Sequence, residues 1–157
     1  MSPLDPARLL VPPGAAGLEV AVRAWERVQA GGVVELSPHA GPPPDDVAGP
    51  AMVLPTSGST GVPHRVVLPL TALSTSADIG STHLGGPAGW LTAVPVTGVG
   101  GLLTVIRTLA AGERPRAVDS LGGGTGFSAD GFRTAPEAAR VSLVPTQVHR
   151  ILGSPEA

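Results

Sequence analysis

Apolar residues occur in short runs along the chain, separated by segments rich in glycine and proline. Near-continuous apolar runs of three to five residues are typical of strands covered on both faces of a sheet. The pattern predicts short strands over residues 33–36 and 116–118, and buried strands over 51–54, 66–68, 90–94 and 141–144. Residues 1–17, which are punctuated by proline and glycine, are expected to form an arm packed on the body.

Other segments show helical spacing, and the strongest of them starts at Leu102. Apolar residues there recur at i, i+3, i+4 and i+7, which places Thr104 and Thr108 on the expected polar side. The same criteria predict helices over 18–30, 71–84, 102–111 and 147–152. Thr71 and Thr146 are the expected N-caps of the second and fourth of these helices.

The order strand, glycine turn, helix, strand over 90–118 is that of a βαβ unit, which requires a right-handed crossover and parallel strands. We therefore predict an α/β fold class, with a mostly parallel sheet and flanking helices. Residues 1–50 would contribute the arm, a helix and a proline-rich loop, and residues 51–157 the main α/β body.

Composition narrows the possible partners. The net charge is -2 and the arginines are scattered, which argues against a nucleic-acid surface. The chain has no cysteine and no lysine, and no His, Asp or Glu cluster has ligand spacing, so no metal site built from protein side chains is expected. No apolar run reaches the ~18 residues of a membrane span and no leader opens the chain, so we expect a cytoplasmic protein that acts on small molecules.

Between the strands 51–54 and 66–68 lies a hydroxyl- and glycine-rich segment. The candidate phosphate-binding residues are Thr56, Ser57, Gly58, Ser59, Thr60 and Gly61, followed after Val-Pro by His64 and Arg65. Glycines and backbone N–H groups in such a turn can curl around an anion. The segment is not a Walker P-loop, because Gly61 is followed by valine rather than by Lys-Ser or Lys-Thr. A flexible connector is the alternative interpretation.

The segment resembles the Thr-Ser-Gly-Ser/Thr-Thr-Gly-x-Pro-Lys signature of the adenylate-forming acyl-CoA synthetases. The resemblance implies that this loop holds the phosphates of ATP, bound with Mg²⁺, while a carboxylic acid forms an acyl-AMP that CoA then cleaves. The family's lysine is His64 here, a side chain that is ordinarily uncharged at neutral pH. Arg65 is a candidate to supply the missing cation, although neighbouring side chains on an extended segment point to opposite faces.

Within that superfamily the chain looks most like the short o-succinylbenzoate-CoA ligases of menaquinone biosynthesis. The similar segments are residues 84–87, 90–95, 100–112 and 142–147. The resemblance implies an acid or nucleotide pocket formed by Pro95, Gly98, Gly101, Pro145, Thr146 and Gln147. Gly98 stands where these relatives have a histidine.

The family's downstream signatures and its C-terminal lid domain have no counterpart in the 157 residues. The resemblance thus implies a truncated ligase that is inactive alone and needs a missing C-terminal half, or a homo-oligomer. A non-catalytic remnant, or a nucleotide-binding fragment of another AMP-dependent synthetase, is the first alternative. A generic α/β module with an incidental Ser/Gly loop is the second. Pairing of the strands on either side of residues 56–64 would argue against the latter.

Overall fold

The computed structural model describes residues 5–14, 16–56, 64–118 and 126–153. Two β-sheets and five α-helices make up this part of the chain. Its elements are β1 (Ala7–Leu10), α1 (Ala16–Gln29), β2 (Val33–Ser37), β3 (Ala51–Thr56), β4 (His64–Pro69), α2 (Leu70–His83), β5 (Trp90–Thr92), α3 (Val99–Ala110), β6 (Arg116–Ala117), α4 (Ala129–Arg133), β7 (Arg140–Ser142) and α5 (Pro145–Leu152).

The first sheet has the strand order β1-β2-β3-β4, in which the first three strands are parallel and β4 is antiparallel to β3. The sequence predicts an arm packed on the body over residues 1–17, but β1, which lies within this range, pairs with β2 from Ala7 opposite Val34 to Leu10 opposite Ser37. The proposed division at residue 50 therefore runs through one sheet, since β1 and β2 come before it and β3 after it.

β4 was predicted to be a buried strand, and that prediction is wrong. It forms the outer edge of the first sheet, where Val66 and Val67 are 36% and 43% exposed. Apolar side chains on an edge strand look the same in sequence as those on a central strand, because both fit a pleated surface. The position of a strand within the sheet is set by its partners, which the local pattern does not reveal.

The second sheet has the order β6-β5-β7, and both strand pairs are parallel. The strand over 141–144 was predicted to be buried, and that prediction is wrong too, because Val141 and Val144 are 36% and 44% exposed. β5, α3 and β6 form the βαβ unit predicted from the sequence. With five of the seven strands joined only in parallel pairs and helices packed beside them, the predicted α/β fold with mostly parallel strands is confirmed.

The helices join the two sheets through one shared core. α1 packs on β1, β2 and β3 and also on α3, while α2 contacts both β4 and α3. α3 in turn packs on β5 of the second sheet. The cluster of buried residues consequently runs from Val34 and Met52 in the first sheet to Leu91 in the second. Burial of this continuous apolar surface is what holds the two sheets together.

Thr104 and Thr108 were expected on the polar side of α3, but both are buried against β5. Thr104 Oγ1 lies 2.7 Å from Thr92 Oγ1, and Thr108 Oγ1 accepts a hydrogen bond from the Trp90 backbone N–H at 2.9 Å. Each hydroxyl also donates to a carbonyl of its own helix, Thr104 to Gly101 and Thr108 to Thr104. Their polar atoms are thus fully partnered in the core, as buried hydroxyls must be.

The two predicted helix caps are also wrong. α2 begins after Pro69 and α5 begins after Val144, and neither helix has the expected threonine as its N-cap. At α5 the capping contact comes instead from Gln147, whose side-chain Oε1 accepts the backbone N–H of Val144 at 2.9 Å. Threonine is one of several residues that can serve as an N-cap, and here proline at the first helical position of α5 sets the start.

Candidate functional site

The candidate phosphate loop connects two paired strands. β3 and β4 form an antiparallel ladder from Ala51 opposite Pro69 to Thr56 opposite His64. Thr56 Oγ1 also donates a hydrogen bond to the His64 carbonyl oxygen at 3.2 Å. Ser57, Gly58, Ser59, Thr60 and Gly61 lie outside the described residues. The residues on either side of them, Thr56 and His64, stand opposite each other in the ladder, so the strands that flank the segment are paired up to its two ends.

Arg65, the residue after the candidate His64, is engaged elsewhere. Its Nε lies 3.3 Å from Oε2 of Glu35, and its Nη2 donates to the Pro42 carbonyl oxygen at 3.4 Å. The strand register explains how Arg65 can contact Glu35. Arg65 stands opposite Pro55 on β3, and its side chain extends across that strand to β2. A guanidinium occupied in this way is poorly placed to replace the family's lysine at the loop.

Glu35 is a charged residue near the candidate loop whose role the sequence pattern does not predict. It lies in the middle of β2, is 1% exposed, and its Oε1 accepts a hydrogen bond from Arg8 Nη2 at 2.7 Å. With Arg65 on its other oxygen, the carboxylate bridges β1 and β4 across the face of the first sheet. A charged residue inside an otherwise apolar strand was the available signal, because a buried carboxylate needs a partner of opposite charge.

The predicted pocket residues lie at the carboxyl edge of the second sheet. β5 and β7 are neighbouring parallel strands, so the turn that carries Pro95 and Gly98 and the start of α5 emerge from the same edge. Gln147 ties them together: its Nε2 donates to the Ala93 carbonyl oxygen at 2.6 Å, and its Oε1 accepts from Val144. Ligands of open α/β sheets bind at this edge.

The predicted pocket residues differ in exposure. The exposed ones can contact a ligand, whereas the buried ones support the structure. Pro95, Gly98, Pro145 and Thr146 are exposed, whereas Gly101 and Gln147 are buried. Gln147 uses both polar atoms of its side chain in joining the two loops. We therefore assign Gln147 a supporting position behind the edge, and the exposed residues remain the candidates for contact with a substrate.

Gly101 and Gly98 differ in how much room their surroundings leave for a side chain. A Cβ on Gly101 would lie less than 3.0 Å from the Pro95 and Val94 carbonyl oxygens, so the backbone there leaves no room for a side chain. A Cβ on Gly98 would meet only the Pro95 carbonyl oxygen, at 3.5 Å, and the φ of Gly98 is -106°. The backbone thus leaves room for a Cβ at position 98, and neither a close contact of that atom nor a left-handed φ requires glycine there.

A cleft of about 320 Å³ opens beside Pro95. Its walls come from the segments that follow β1, β2 and β5, so it lies where the carboxyl ends of strands from both sheets meet. The lining residues are Val11, Pro12, Pro13, Gly14, Gly17, Pro38, Pro95, Val96 and Thr97. None of them is charged, which suits the apolar part of a small acid better than a phosphate.

Within the described ranges, no three His, Asp or Glu side chains are grouped so that they could hold a metal ion. None of the helices in this part of the chain has the length and apolar character that a membrane span requires.

No family model matches the chain. It is 31% identical to the probable 2-succinylbenzoate-CoA ligases of two strains of Mycobacterium tuberculosis, over 98% of this chain and 36% of the relative. It thus spans about a third of the length of the curated relatives it matches. The o-succinylbenzoate CoA synthetase of Bacillus subtilis, solved with its acyl-adenylate intermediate, superposes with a TM-score of 0.60 at 17% identity over 95% of this chain and 51% of that one. The resemblance and the partial α/β fold predicted from the sequence are confirmed.

Proposed function

We propose that this chain is the phosphate-loop part of an ATP-dependent o-succinylbenzoate-CoA ligase, in which the segment 57–63 holds the phosphates of ATP. The observation that carries the proposal is the β3–β4 ladder, which pairs the strands up to Thr56 and His64 on either side of that segment. The similarity to 2-succinylbenzoate-CoA ligases over 98% of the chain supports the choice of acid. In such a ligase the product would serve menaquinone biosynthesis.

In this proposal each part of the site has a separate task. Backbone N–H groups and hydroxyls of Thr56, Ser57, Ser59 and Thr60 would stabilise the negative charge that develops on departing pyrophosphate. The carboxyl edge near Pro95 and Thr146 would orient the acid, whose carboxylate attacks the α-phosphorus to give an acyl-AMP. The CoA thiol then displaces AMP to form the thioester.

Mg²⁺ would reach this site on ATP, where it neutralises charge on the phosphate oxygens. Glu35 is a buried carboxylate on β2, the strand next to β3 of the hairpin, and both its oxygens face arginines. It is therefore not available as a magnesium ligand. The chain's own contribution is the cradle for the phosphates, and the ion would be held by ATP and by groups outside the described residues.

One specific observation favours a second candidate, a nucleotide-binding unit without catalytic turnover. His64 replaces the family's lysine, and Arg65, the nearest alternative cation, is bound to Glu35 and the Pro42 carbonyl. A loop that keeps its shape but lacks a positive charge would bind ATP weakly and stabilise the transition state less than the relatives do.

The purified chain is expected to release no pyrophosphate from ATP with o-succinylbenzoate above a no-protein control, because the resemblance assigns the rest of the active site to sequence that this chain does not contain. A coupled pyrophosphate assay measures this. When the unmatched part of the Mycobacterium tuberculosis relative is added as a second polypeptide, we expect acid-dependent release. Turnover by the chain alone would contradict the first expectation, and nucleotide binding without turnover in the mixture would favour the second candidate.

A further inference from the structure

Arg107 on α3 carries a positive charge that the described part of the chain does not neutralise. Within those residues its guanidinium forms neither an ion pair nor a hydrogen bond, and its Nε is buried without a partner. The guanidinium lies 5.3 Å from the centre of the Trp90 ring. Arg140 lies 5.9 Å from the same ring, but it donates hydrogen bonds to the Leu84 and Gly86 carbonyl oxygens. A guanidinium has several N–H donors, so Arg107, unlike Arg140, keeps its donors for a ligand.

Gly80 on α2 holds this guanidinium in place. A Cβ on Gly80 would lie 2.9 Å from Nε, 3.0 Å from Nη2 and 3.1 Å from Cζ of Arg107. Because these distances are nearly equal, the flat face of the guanidinium lies across Gly80. The N–H groups lie in the plane of the guanidinium, so this contact orients the group without using its donors. A donor group that packing already holds in place costs little entropy to order when a ligand binds.

Arg107 lines an open groove of about 620 Å³ along the exposed face of α2. The other lining residues are spaced as one face of that helix and are Thr71, Ala72, Thr75, Ser76, Ile79 and Gly80. None of the described residues that line the groove is acidic, and Asp78 lines a separate cavity beside Trp25. The groove shares no lining residue with the cleft beside Pro95. An unpaired positive charge thus faces a surface of hydroxyls and apolar side chains.

The groove has the chemistry to bind a small organic acid. A guanidinium binds the two oxygens of a carboxylate through paired hydrogen bonds, and Thr75 and Ser76 add hydroxyl donors. Ile79 is 54% exposed and offers an apolar surface to the body of such a ligand. A single arginine balances a single negative charge, which fits a carboxylate better than a phosphate dianion.

We propose that this groove is a binding site for a small organic monocarboxylate, with Arg107 on the carboxylate and Ile79 against the apolar body. The site lies apart from the residues assigned to ATP and to the acid substrate, because none of them lines the groove. The proposal therefore does not depend on the proposed function.

Isoleucine methyl groups provide the test, because the chain contains three isoleucines and only Ile79 lines the groove. The 157-residue chain, labelled with ¹³C at its isoleucine δ1 methyls, is titrated with benzoate and with the uncharged benzamide by NMR. We expect benzoate to shift the Ile79 signal until it saturates and to leave Ile151 unchanged. Benzamide should bind at least ~10-fold more weakly, because it lacks the charge that strengthens a hydrogen bond to arginine. Equal shifts at Ile79 and Ile151, or equal affinity for benzamide or inorganic phosphate, would overturn the proposal.

Two variants assign the binding to the oriented guanidinium. Arg107→Gln removes the charge, and Gly80→Ala keeps the charge but places a methyl group where the guanidinium packs. Both are expected to lower the affinity for benzoate at least ~10-fold. The matched control is Arg23→Gln, which removes an exposed arginine of α1 outside the groove and should leave the affinity unchanged.

Parent affinity in both Arg107→Gln and Gly80→Ala would reject the site. Circular dichroism checks that each variant folds. Binding of ATP and pyrophosphate is expected to be the same in Arg107→Gln as in the parent, so this proposal and the proposed function can fail separately.

Discussion

Gly101→Ala is expected to destabilise the protein by about 2 to 3 kcal/mol, the cost of forcing an extra carbon into a closely packed site. The new Cβ would lie less than 3.0 Å from two backbone carbonyl oxygens, those of Val94 and Pro95. Backbone cannot move aside as the end of a flexible side chain can. The start of α3 would shift from the turn that carries Pro95 and Gly98, and the carboxyl edge of the second sheet would lose its shape.

Gly100→Ala is the matched control, one residue earlier in the same helix. Its Cβ would meet only Val94 Cγ2, at the ordinary distance of 3.8 Å. Because alanine favours the helix over glycine, we expect this variant to be as stable as the parent, or more stable by up to ~1 kcal/mol. Urea unfolding followed by circular dichroism measures both. Similar midpoints for the two variants would show that α3 and the turn are not in close contact.

Glu35→Gln is expected to cost about 3 to 5 kcal/mol of unfolding free energy, as found when one partner of a buried ion pair is removed. The change keeps the shape of the side chain but leaves Arg8 and Arg65 without the carboxylate that both now face. Because Glu35 joins β1 to β4 across the first sheet, the loss would also loosen the β4 end of the hairpin. The thermal midpoint should fall by roughly 6–20 °C, given 2–4 °C per kcal/mol at this size.

Asp130→Asn provides the contrast for this variant. Asp130 pairs with Arg133 at 3.0 Å on α4, but its side chain is 87% exposed. Exposed pairs contribute no more than about 1 kcal/mol, so this variant should unfold close to the parent. If Glu35→Gln and Asp130→Asn shifted the midpoint equally, the buried cluster would not have the structural importance assigned to it.

The elements that the sequence predicted well are those defined by local periodicity. The apolar repeat of Leu102, Val105, Ile106 and Leu109 identified α3, and the short apolar runs identified six of the seven described strands, because side-chain spacing reports directly on the period of the backbone. The order of these elements was enough to predict the βαβ unit. The resemblance of residues 56–66 to a known loop supplied the candidate function, which periodicity alone does not contain.

The predictions that were wrong concern contacts between residues that are far apart in sequence. The sequence does not predict β1 as a strand, because its strand partner, β2, begins 26 residues after Ala7. Thr104 and Thr108 were assigned to the solvent side, since their hydroxyls are satisfied by groups on β5 and on their own helix that no spacing rule includes. Arg65 was a candidate for the cation at the phosphate loop, but the first sheet places its side chain against Glu35. In each case the role of the residue depends on the group that it contacts, and only the fold shows which group that is.

The candidate site was predicted only in part, because its contacts also join residues that are distant in sequence. Its residues were proposed from the resemblance, and the fold gathers Pro95, Gly98, Pro145 and Thr146 at one sheet edge. The sequence did not separate Gln147, which supports the edge from behind, from the exposed residues around it. The phosphate-binding roles of the residues between Thr56 and His64 remain predictions.

Calorimetric titration of the 157-residue chain with ATP and with pyrophosphate tests the central claim most directly, because both share the phosphates that the loop is proposed to hold. We predict weak binding of both compounds to the parent protein and to Gly100→Ala. Binding should be lost in Gly58→Val and in Gly61→Val, whose side chains would obstruct the close approach of a phosphate to the backbone. Unchanged affinity in both loop variants would contradict the account, since the phosphates would then bind elsewhere or not specifically.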